Sequence, residues 1–332
     1  MTTATAWPRL EDLVGEIREL ITGARTITCL AHKDADADSL GSALGFALSL
    51  RATGRDVQVV VPSPAPRLLE YLPGYDTVST DASATEPDVV FTFDCATIAR
   101  FGDKEPLVRD SRVVVNVDHH VSNEGFGSVN LIDATASATG QVVHGLLTAL
   151  GTPLTADVAT NLYAALFTDT GGFRHENTTE AALRLGAELV AAGANPGWVA
   201  LKSYKSRSVA QIRLEGMAVA AMHTEFDGRL VWSDVTLAML EEAGADMMES
   251  EGIIDQLQSI DTMAMAILFK ESEPNLTKVS VRTRDPFDAT AVVSPFGGGG
   301  HRRAAGAEQR EPLPVVQQRV LEAARELVRS AR

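Results

Sequence analysis

Residues 112–123 read RVVVNVDHHVSN, an apolar, valine-rich run that closes on an acid and two histidines. The run is continuous rather than alternating, which marks a strand covered on both faces and so a parallel sheet flanked by helices. Runs of the same kind recur at 26–31 (TITCLA), 56–62 (DVQVVVP) and 88–94 (DVVFTFD). Between the first two lies SLGSALGFALSLRATG (39–54), which reads as a helix closed by Gly54, and two more helical stretches follow at 139–150 and 156–173. This alternation predicts an α/β fold whose N-terminal part is a doubly wound, mainly parallel sheet.

The character changes later in the chain. AAGANPGW (191–198) concentrates Gly, Pro and Asn at a boundary, and residues 198–222 read as one long helical connector. Strands are expected at 229–235, 263–271 and 276–285, and helices at 251–260 and 315–330, giving a smaller C-terminal α+β domain. The expected division is 1–195, a helical connector at 196–222, and 223–332.

Composition narrows the function. The 332 residues are 45% hydrophobic and 22% charged, with a formal charge of −15. So acidic a chain repels a long duplex polyanion, although metal ions and a few arginines can still hold a short anionic ligand. No run of about 18 apolar residues is present to cross a membrane. The opening stretch MTTATAWPRLEDLVGEIREL lacks the apolar core of a signal peptide and reads as an amphipathic helix. Cys29 and Cys95 make neither a disulfide framework nor a thiolate zinc site, and a cytoplasmic protein is expected.

The strand ends carry the chemistry. HKDADADS follows the first strand and supplies His32, Asp34, Asp36 and Asp38; Asp94 ends another; Asp118, His119 and His120 end the next; Asp169 follows the helix LYAALFT. In an open α/β sheet the carboxyl ends of the strands share one edge, where ligands bind. Each piece alone reads as a solvated turn or a helix cap, but acids and imidazoles from four segments converging on one edge read as a metal centre. Mixed carboxylate and imidazole donors without thiolate favour Mn²⁺, with Mg²⁺ or Co²⁺ as alternatives. The number of carboxylates calls for two ions, since like charges crowd together only with cations between them.

In order and spacing, His32-x3-Asp36-x-Asp38, Asp94, Asp118-His119-His120 and Asp169-Thr170-Gly171 resemble the four motifs of the DHH phosphoesterase family. GGGGHRRAAG (297–306) resembles the signature of the DHH-associated C-terminal domain, so the likeness covers nearly the whole chain. The group it suggests is the nanoRNase type, bifunctional oligoribonucleases and pAp phosphatases whose relatives also cleave linear or cyclic dinucleotides. The resemblance implies a catalytic domain at 1–195, a substrate-binding domain at 223–332 and a homodimer. It implies that His32 and Asp36 hold one Mn²⁺, that Asp38, His119 and Asp169 hold the other, and that Asp94 bridges them. Asp118 would orient His119, and His120 would face the scissile phosphate as hydrogen-bond donor or general acid. Family members often carry Pro before the first metal aspartate. Here Ala35 stands there with the extra acid Asp34, which reads as a surface residue rather than a replacement for Asp36.

For the C-terminal signature, Gly298, Gly299 and Gly300 leave backbone N–H groups open to an anion, and a helix starting at HRRAAGA would add its dipole. His301, Arg302 and Arg303 offer phosphate or sugar contacts, and Arg282 and Arg284 are expected on one strand face. The substrates that fit are short RNA, pAp and cyclic dinucleotides such as cyclic di-AMP. Two competing readings are a manganese pyrophosphatase, which the glycine signature opposes, and a non-catalytic nucleotide sensor, which the complete ligand set opposes.

Overall fold

The valine-rich runs form the middle of a parallel sheet, as their unbroken apolar sequences require. The computed structural model describes residues 7–82 and 86–330. The chain forms two compact units, Met1–Ser206 and Arg207–Arg332. In the first, β1 (Ile27–Leu30), β2 (Val57–Val60), β3 (Val78–Ser79), β4 (Val89–Phe93), β5 (Val114–Asp118) and β6 (Val129–Ile132) lie in the order β3-β2-β1-β4-β5-β6. Every neighbouring pair is parallel. β1, β4 and β5 are buried along their whole length. From β1 the chain steps outward through β2 to β3, then returns to the other side of β1 at β4. That reversal opens a crevice at the carboxyl ends of β1 and β4, the place where such sheets bind ligands.

Seven helices accompany this sheet among the described residues: α1 (Leu10–Gly23), α2 (Ala37–Arg51), α3 (Glu105–Arg109), α4 (Thr139–Leu150), α5 (Ala156–Asp169), α6 (Glu180–Ala191) and α7 (Pro196–Tyr204). The amphipathic N-terminal helix is α1; residues 1–6 of the stretch read with it lie outside the described residues. α2 ends at Arg51, before the glycine expected to close it. Nearly all of α2 is buried, because it packs on β1, β2 and β4 and also meets α4 and α5. Phe46 of α2 lies against Phe91 and Phe93 of β4, with ring centroids 4.6 and 5.4 Å away. Small residues let the three helices approach closely. A Cβ on Gly41 would stand 2.7 Å from the carbonyl oxygen of Asn161, and one on Gly140 would stand 2.6 Å from the Cβ of Ala165.

The stretch expected as one connector helix is two helices, α7 and α8 (Val209–Ala220), broken at 205–208. Ser208 is the reason: its side chain accepts from the Gln211 N–H and starts a new helix. The second unit holds β7 (His223–Glu225), β8 (Leu230–Val235), β9 (Met265–Glu273), β10 (Leu276–Thr283), β11 (Gly299–His301) and β12 (Ala304–Gln309), ordered β11-β12-β10-β9-β8-β7. Its pairs are antiparallel except β8 with β9. The helices are α8, α9 (Leu237–Ala243), α10 (Ile253–Gln258), α11 (Ala289–Val293) and α12 (Leu313–Ser330). Alternation along β9 builds the unit. Ile267 and Phe269 pack with Val316, Val320, Ala324 and Val328 of α12, while Ala266 and Leu268 pack with Leu214 and Ala218 of α8.

Two expectations for this unit are corrected. The HRRAAGA stretch starts no helix; it turns back as the β11–β12 hairpin, and β12 pairs with β10 from Arg282↔Ala304 to Thr277↔Gln309. The ladder overrides the helix preference of its alanines. Arg284 does not share the strand face with Arg282, because β10 ends at Thr283. Its guanidinium instead donates to the carbonyls of Asp261 and Gln258, at 2.9 and 2.8 Å.

The close helix contacts make a prediction. Gly41→Ala should lower the unfolding free energy by about 1–3 kcal/mol through overpacking. Gly15→Ala, at an exposed helix position with nothing near its Cβ, should raise it by about 0.5–1 kcal/mol. Urea unfolding of the two variants decides, and a Gly41→Ala protein as stable as the parent contradicts the packing.

Candidate active site

His32 follows β1 and Asp94 follows β4, so the sheet delivers both to the crevice; each is almost fully buried. Asp36 is the N-cap of α2 and accepts from the Ser39 N–H at 2.9 Å. Asp38, in the first turn of α2, is buried and accepts from the backbone N–H groups of Thr139 and Gly140 at 2.8 and 2.9 Å. Those donors are the start of α4, whose N-terminal dipole favours a carboxylate. Asp169 is the last residue of α5. The helix contacts at Gly41 and Gly140 thus set Asp38, Asp169 and Thr139 around one corner.

Distances show how tightly these groups converge. Nε2 of His119 lies 3.7 Å from Asp38 Oδ2, 3.6 Å from Asp94 Oδ1 and 3.7 Å from Asp169 Oδ2. Nε2 of His32 lies 3.5 Å from Asp94 Oδ2 and 4.0 Å from Asp36 Oδ2. The donor atoms of His32, Asp36 and Asp94 lie within 4.8 Å of one another, and so do those of Asp38, His119 and Asp169. A third such group joins Asp94, His119 and His120. Asp94 adopts a left-handed backbone, φ 58°, rare for a residue with a Cβ. Thr139 Oγ1 donates to it at 3.0 Å.

The electrostatics suit a divalent cation. Burial, then the charges of Asp94, Asp169 and Asp36, push the Asp38 carboxyl well above its ordinary range, against the Gly140 N–H. Burial takes Asp169 up to about 6, with His119 pulling it down and Asp94 and Asp36 pushing it up. Burial would raise Asp94 too, but the His32 hydrogen bond and the charges of His120, His119 and His32 outweigh it and leave it below the usual range. Acids this crowded ionise together only when positive charge stands among them. The donors are all carboxylate or imidazole, a set that fits a hard or borderline divalent ion.

The two histidines of the motif have different supports. His119 Nδ1 meets the Ala136 carbonyl at 3.2 Å, which leaves Nε2 toward the acids. Asp118, fully buried, meets Nδ1 of His120 at 2.8 Å and accepts the His119 backbone N–H at 2.8 Å. Asp118 therefore supports the ring of His120, not that of His119 as expected, because only the His120 ring turns back toward the strand end. Burial works against the charged form of His120, yet the hydrogen bond and charge of Asp118, with Asp94 and Asp169, carry it up to about 9.

Asp34 is exposed and belongs to none of the donor groups among the described residues. Gly298–Gly300, His301, Arg302, Arg303 and Arg282 lie in the second unit. Gly298 and Gly300 serve the hairpin: a Cβ would meet the Gly306 carbonyl at 2.4 Å and the Ala304 carbonyl at 2.6 Å, whereas Gly299 faces open space. Arg302 and Arg303 both pair with Asp285, at 3.1 and 2.5 Å. The side chain of His301 lies outside the described residues.

Several neighbours went unread in the sequence. Arg100 places Nη2 3.1 and 3.2 Å from the ring nitrogens of His32. Asn177 donates to the Asp169 and Ser137 carbonyls at 3.2 and 3.0 Å. Thr139, which ties Asp38 to Asp94, had a signal in the helix start SATGQ (137–141).

A metal-dependent phosphoesterase site is the class that this sheet edge and donor set define. The chain belongs to the DHH family: residues 26–166 match the DHH family, N-terminal domain, and residues 232–330 match the DHHA1 domain. It is 32% identical to the bifunctional oligoribonuclease and PAP phosphatase NrnA of Thermus thermophilus, over 96% of this chain and 94% of that one. Identity to the protein of the same name from Bacillus subtilis is 25%, over 85% and 88% of the two chains. An exopolyphosphatase-related protein from Bacteroides fragilis has the same fold, with a TM-score of 0.90 at 22% identity over 95% of this chain and 96% of that one. The α/β architecture with a second mixed-sheet unit, the family and the hydrolase class read from the motifs all hold. No described helix is long and apolar enough to cross a membrane.

Crowded acids predict metal-dependent stability. Added Mn²⁺ at about 100 times its dissociation constant should raise the unfolding free energy by about 2.7 kcal/mol, and a chelator should reverse the gain. Calorimetric melting with and without the ion measures it. Asp38→Asn should lose most of the gain and Asp34→Ala none; equal behaviour of the two would refute the site.

Proposed function

We propose that the protein is a manganese-dependent phosphoesterase that hydrolyses short oligoribonucleotides and small nucleotides. It converts pAp to AMP and phosphate and takes linear or cyclic dinucleotides, cyclic di-AMP among them. The observation that carries this reading is the convergence of six donor side chains on the crevice around Asp94, in a chain 32% identical along nearly its full length to a relative named oligoribonuclease and PAP phosphatase. The buried free thiols Cys29 and Cys95 and the absence of a spanning helix among the described residues accord with a cytoplasmic enzyme, which we take to act as a homodimer.

His32 and Asp36 would hold one ion, Asp38, His119 and Asp169 the other, and Asp94 both. Two divalent ions supply Lewis acidity toward a phosphoryl oxygen and neutralise charge on the reacting group. The rest falls to the chain's own groups. The Thr139 hydroxyl and the α4 N–H groups hold Asp94 and Asp38 in register. His120, its Nδ1 held by Asp118, hydrogen-bonds the scissile phosphate. As water adds to phosphorus and the P–O ester bond breaks, His120 delivers a proton to the leaving oxygen. In the second unit, Gly298, Gly299, Gly300, His301, Arg302, Arg303 and Arg282 hold the nucleotide, with Arg302 and Arg303 exchanging Asp285 for phosphate.

Because Asp94 serves both ions, Asp94→Asn should cut turnover by orders of magnitude in a folded protein. Asp34→Ala should stay near the parent rate, and activity on a dinucleotide with Mn²⁺ checks the pair. An active Asp94→Asn enzyme is incompatible with the assignment.

Substrate length gives a second check. A chain of charge −15 meets added phosphates with repulsion, so rates should favour about two to five nucleotides over long RNA. Rates along a length series, with pAp, cyclic di-AMP and pyrophosphate beside it, decide this; faster processive decay of structured long RNA rules the preference out.

Holding and cutting should also separate. Arg303→Ala and Arg282→Ala should weaken nucleotide substrates through KM by about 1–3 kcal/mol, the worth of a charged hydrogen bond. Hydrolysis of bis-p-nitrophenyl phosphate, which has no nucleoside, should be unchanged, whereas His120→Ala should depress both substrates. Equal loss on both substrates in the arginine variants would place the second unit in the chemistry.

A further inference from the structure

The polar chain that ends on His120 continues beyond Asp118 into the sheet. Thr92 of β4 and Asn116 of β5 are fully buried. Thr92 Oγ1 donates to Asn116 Oδ1 at 3.2 Å, and Asn116 Nδ2 donates to Asn123 Oδ1 at 3.0 Å. Asn123 Nδ2 then donates to Asp118 Oδ2 at 2.5 Å, while Asp118 Oδ1 meets the His120 ring at 2.8 Å. Asn123 is itself only 8% exposed. Its second amide hydrogen goes to the Cys95 carbonyl at 3.1 Å, and its oxygen also accepts the Gly125 N–H at 2.8 Å. Both donors and both lone pairs of the amide are therefore used. The amide cannot be reversed, because its oxygen would then face a carboxylate and a carbonyl, and its NH₂ would face two donors.

We propose that Asn123 is a positioning residue for the hydrolysis: it fixes the Asp118 carboxylate, which in turn sets the rotamer of His120. This rests on the reading of His120 as the group that acts at the phosphate. One oxygen of Asp118 is pinned by Asn123 and the other is shared by the His119 N–H and the His120 ring, so the carboxylate cannot rotate. A carboxylate held in this way keeps Nδ1 engaged and the ring in one orientation. Burial raises the cost of breaking any link, since each group left unpaired has no water to turn to. The Asn123 side chain makes none of its hydrogen bonds to His32, Asp36, Asp38, Asp94, His119 or Asp169, and its backbone N–H donates to the His120 carbonyl at 3.1 Å, so its effect passes through Asp118 and His120.

The test is a double-mutant cycle. Asn123→Ala and the milder Asn123→Ser are measured on a dinucleotide with Mn²⁺, each alone and combined with His120→Ala. General acid–base catalysis contributes about 10²–10⁴-fold, so loss of its positioning should lower kcat by about 10–100-fold with KM within about twofold. Neither substitution should lower the rate further once His120 is alanine. Mn²⁺ titration by calorimetry should give the parent affinity, and the ¹⁵N signal of His120 Nδ1 should move away from that of the parent as its hydrogen bond to Asp118 loosens. Additive losses in the His120→Ala background, weakened Mn²⁺ binding or an unchanged ring signature overturn the role of Asn123. Parent-like kcat in both Asn123 variants beside a dead His120→Ala overturns it as well. A His120→Ala enzyme that still turns over the dinucleotide sinks the reading of His120 itself, an outcome distinct from the others.

Discussion

Three carboxylates, those of Asp38, Asp94 and Asp169, stand 3.6–3.7 Å from one imidazole nitrogen of His119, with Asp38 and Asp94 almost fully buried. Two unit charges about 4 Å apart at an effective dielectric of about 20 interact by about 4 kcal/mol. Without counter-charge the corner would not hold its acids ionised. The first unit answers with fixed donors: the α4 N-terminus for Asp38, the Thr139 hydroxyl for Asp94, and the imidazoles of His32 and His119. Each of these is partial compensation, and a divalent ion completes it. The same groups that make the corner costly to build empty are the ones whose donor atoms could hold a metal ion.

The sheet could not place these groups alone. β1, β4 and β5 deliver His32, Asp94 and the Asp118–His120 run, but Asp38 and Asp169 come from the start of one helix and the end of another. Bringing those helix ends together requires α2, α4 and α5 to touch along their backbones, which is why glycine stands at 41 and 140. Phe46, clasped by Phe91 and Phe93, fixes α2 on β4 from the other side. Packing and chemistry thus meet in one helix, buried along nearly its whole length and carrying the buried acid Asp38 in its first turn.

What was legible in the sequence follows from range. β1, β4 and β5 showed as unbroken Val and Phe runs because burial on both faces writes itself into consecutive positions. His32, Asp94 and the Asp118–His120 run stood out because strand ends share an edge whatever the side chains do later. β3, only two residues long, and β6, broken by Asn130, carry too little pattern to stand out. The β11–β12 hairpin was misread as a helix start because its alanines favour one and its partner strand lies some twenty residues away. Arg284 was misplaced by a strand end that alternation could not locate. The partner of Asp118 was invisible for another reason: which adjacent ring turns back is a matter of rotamer, set by Ala136 for one histidine and by Asp118 for the other.

That last point explains how three consecutive residues take three tasks. Asp118 ends β5 and points into the protein, where Asn123 can reach it. With the strand over, His119 and His120 are released from strict alternation, and their rings stand 4.8 Å apart at 62° rather than on opposite faces. One ring gives Nδ1 to a carbonyl and turns Nε2 to the acids; the other gives Nδ1 to the carboxylate two residues back. A strand one residue longer would send one of them to the far face of the sheet. The end of β5 at Asp118, fixed by its last pairing with Ile132, is therefore as much a part of the site as any donor atom in it.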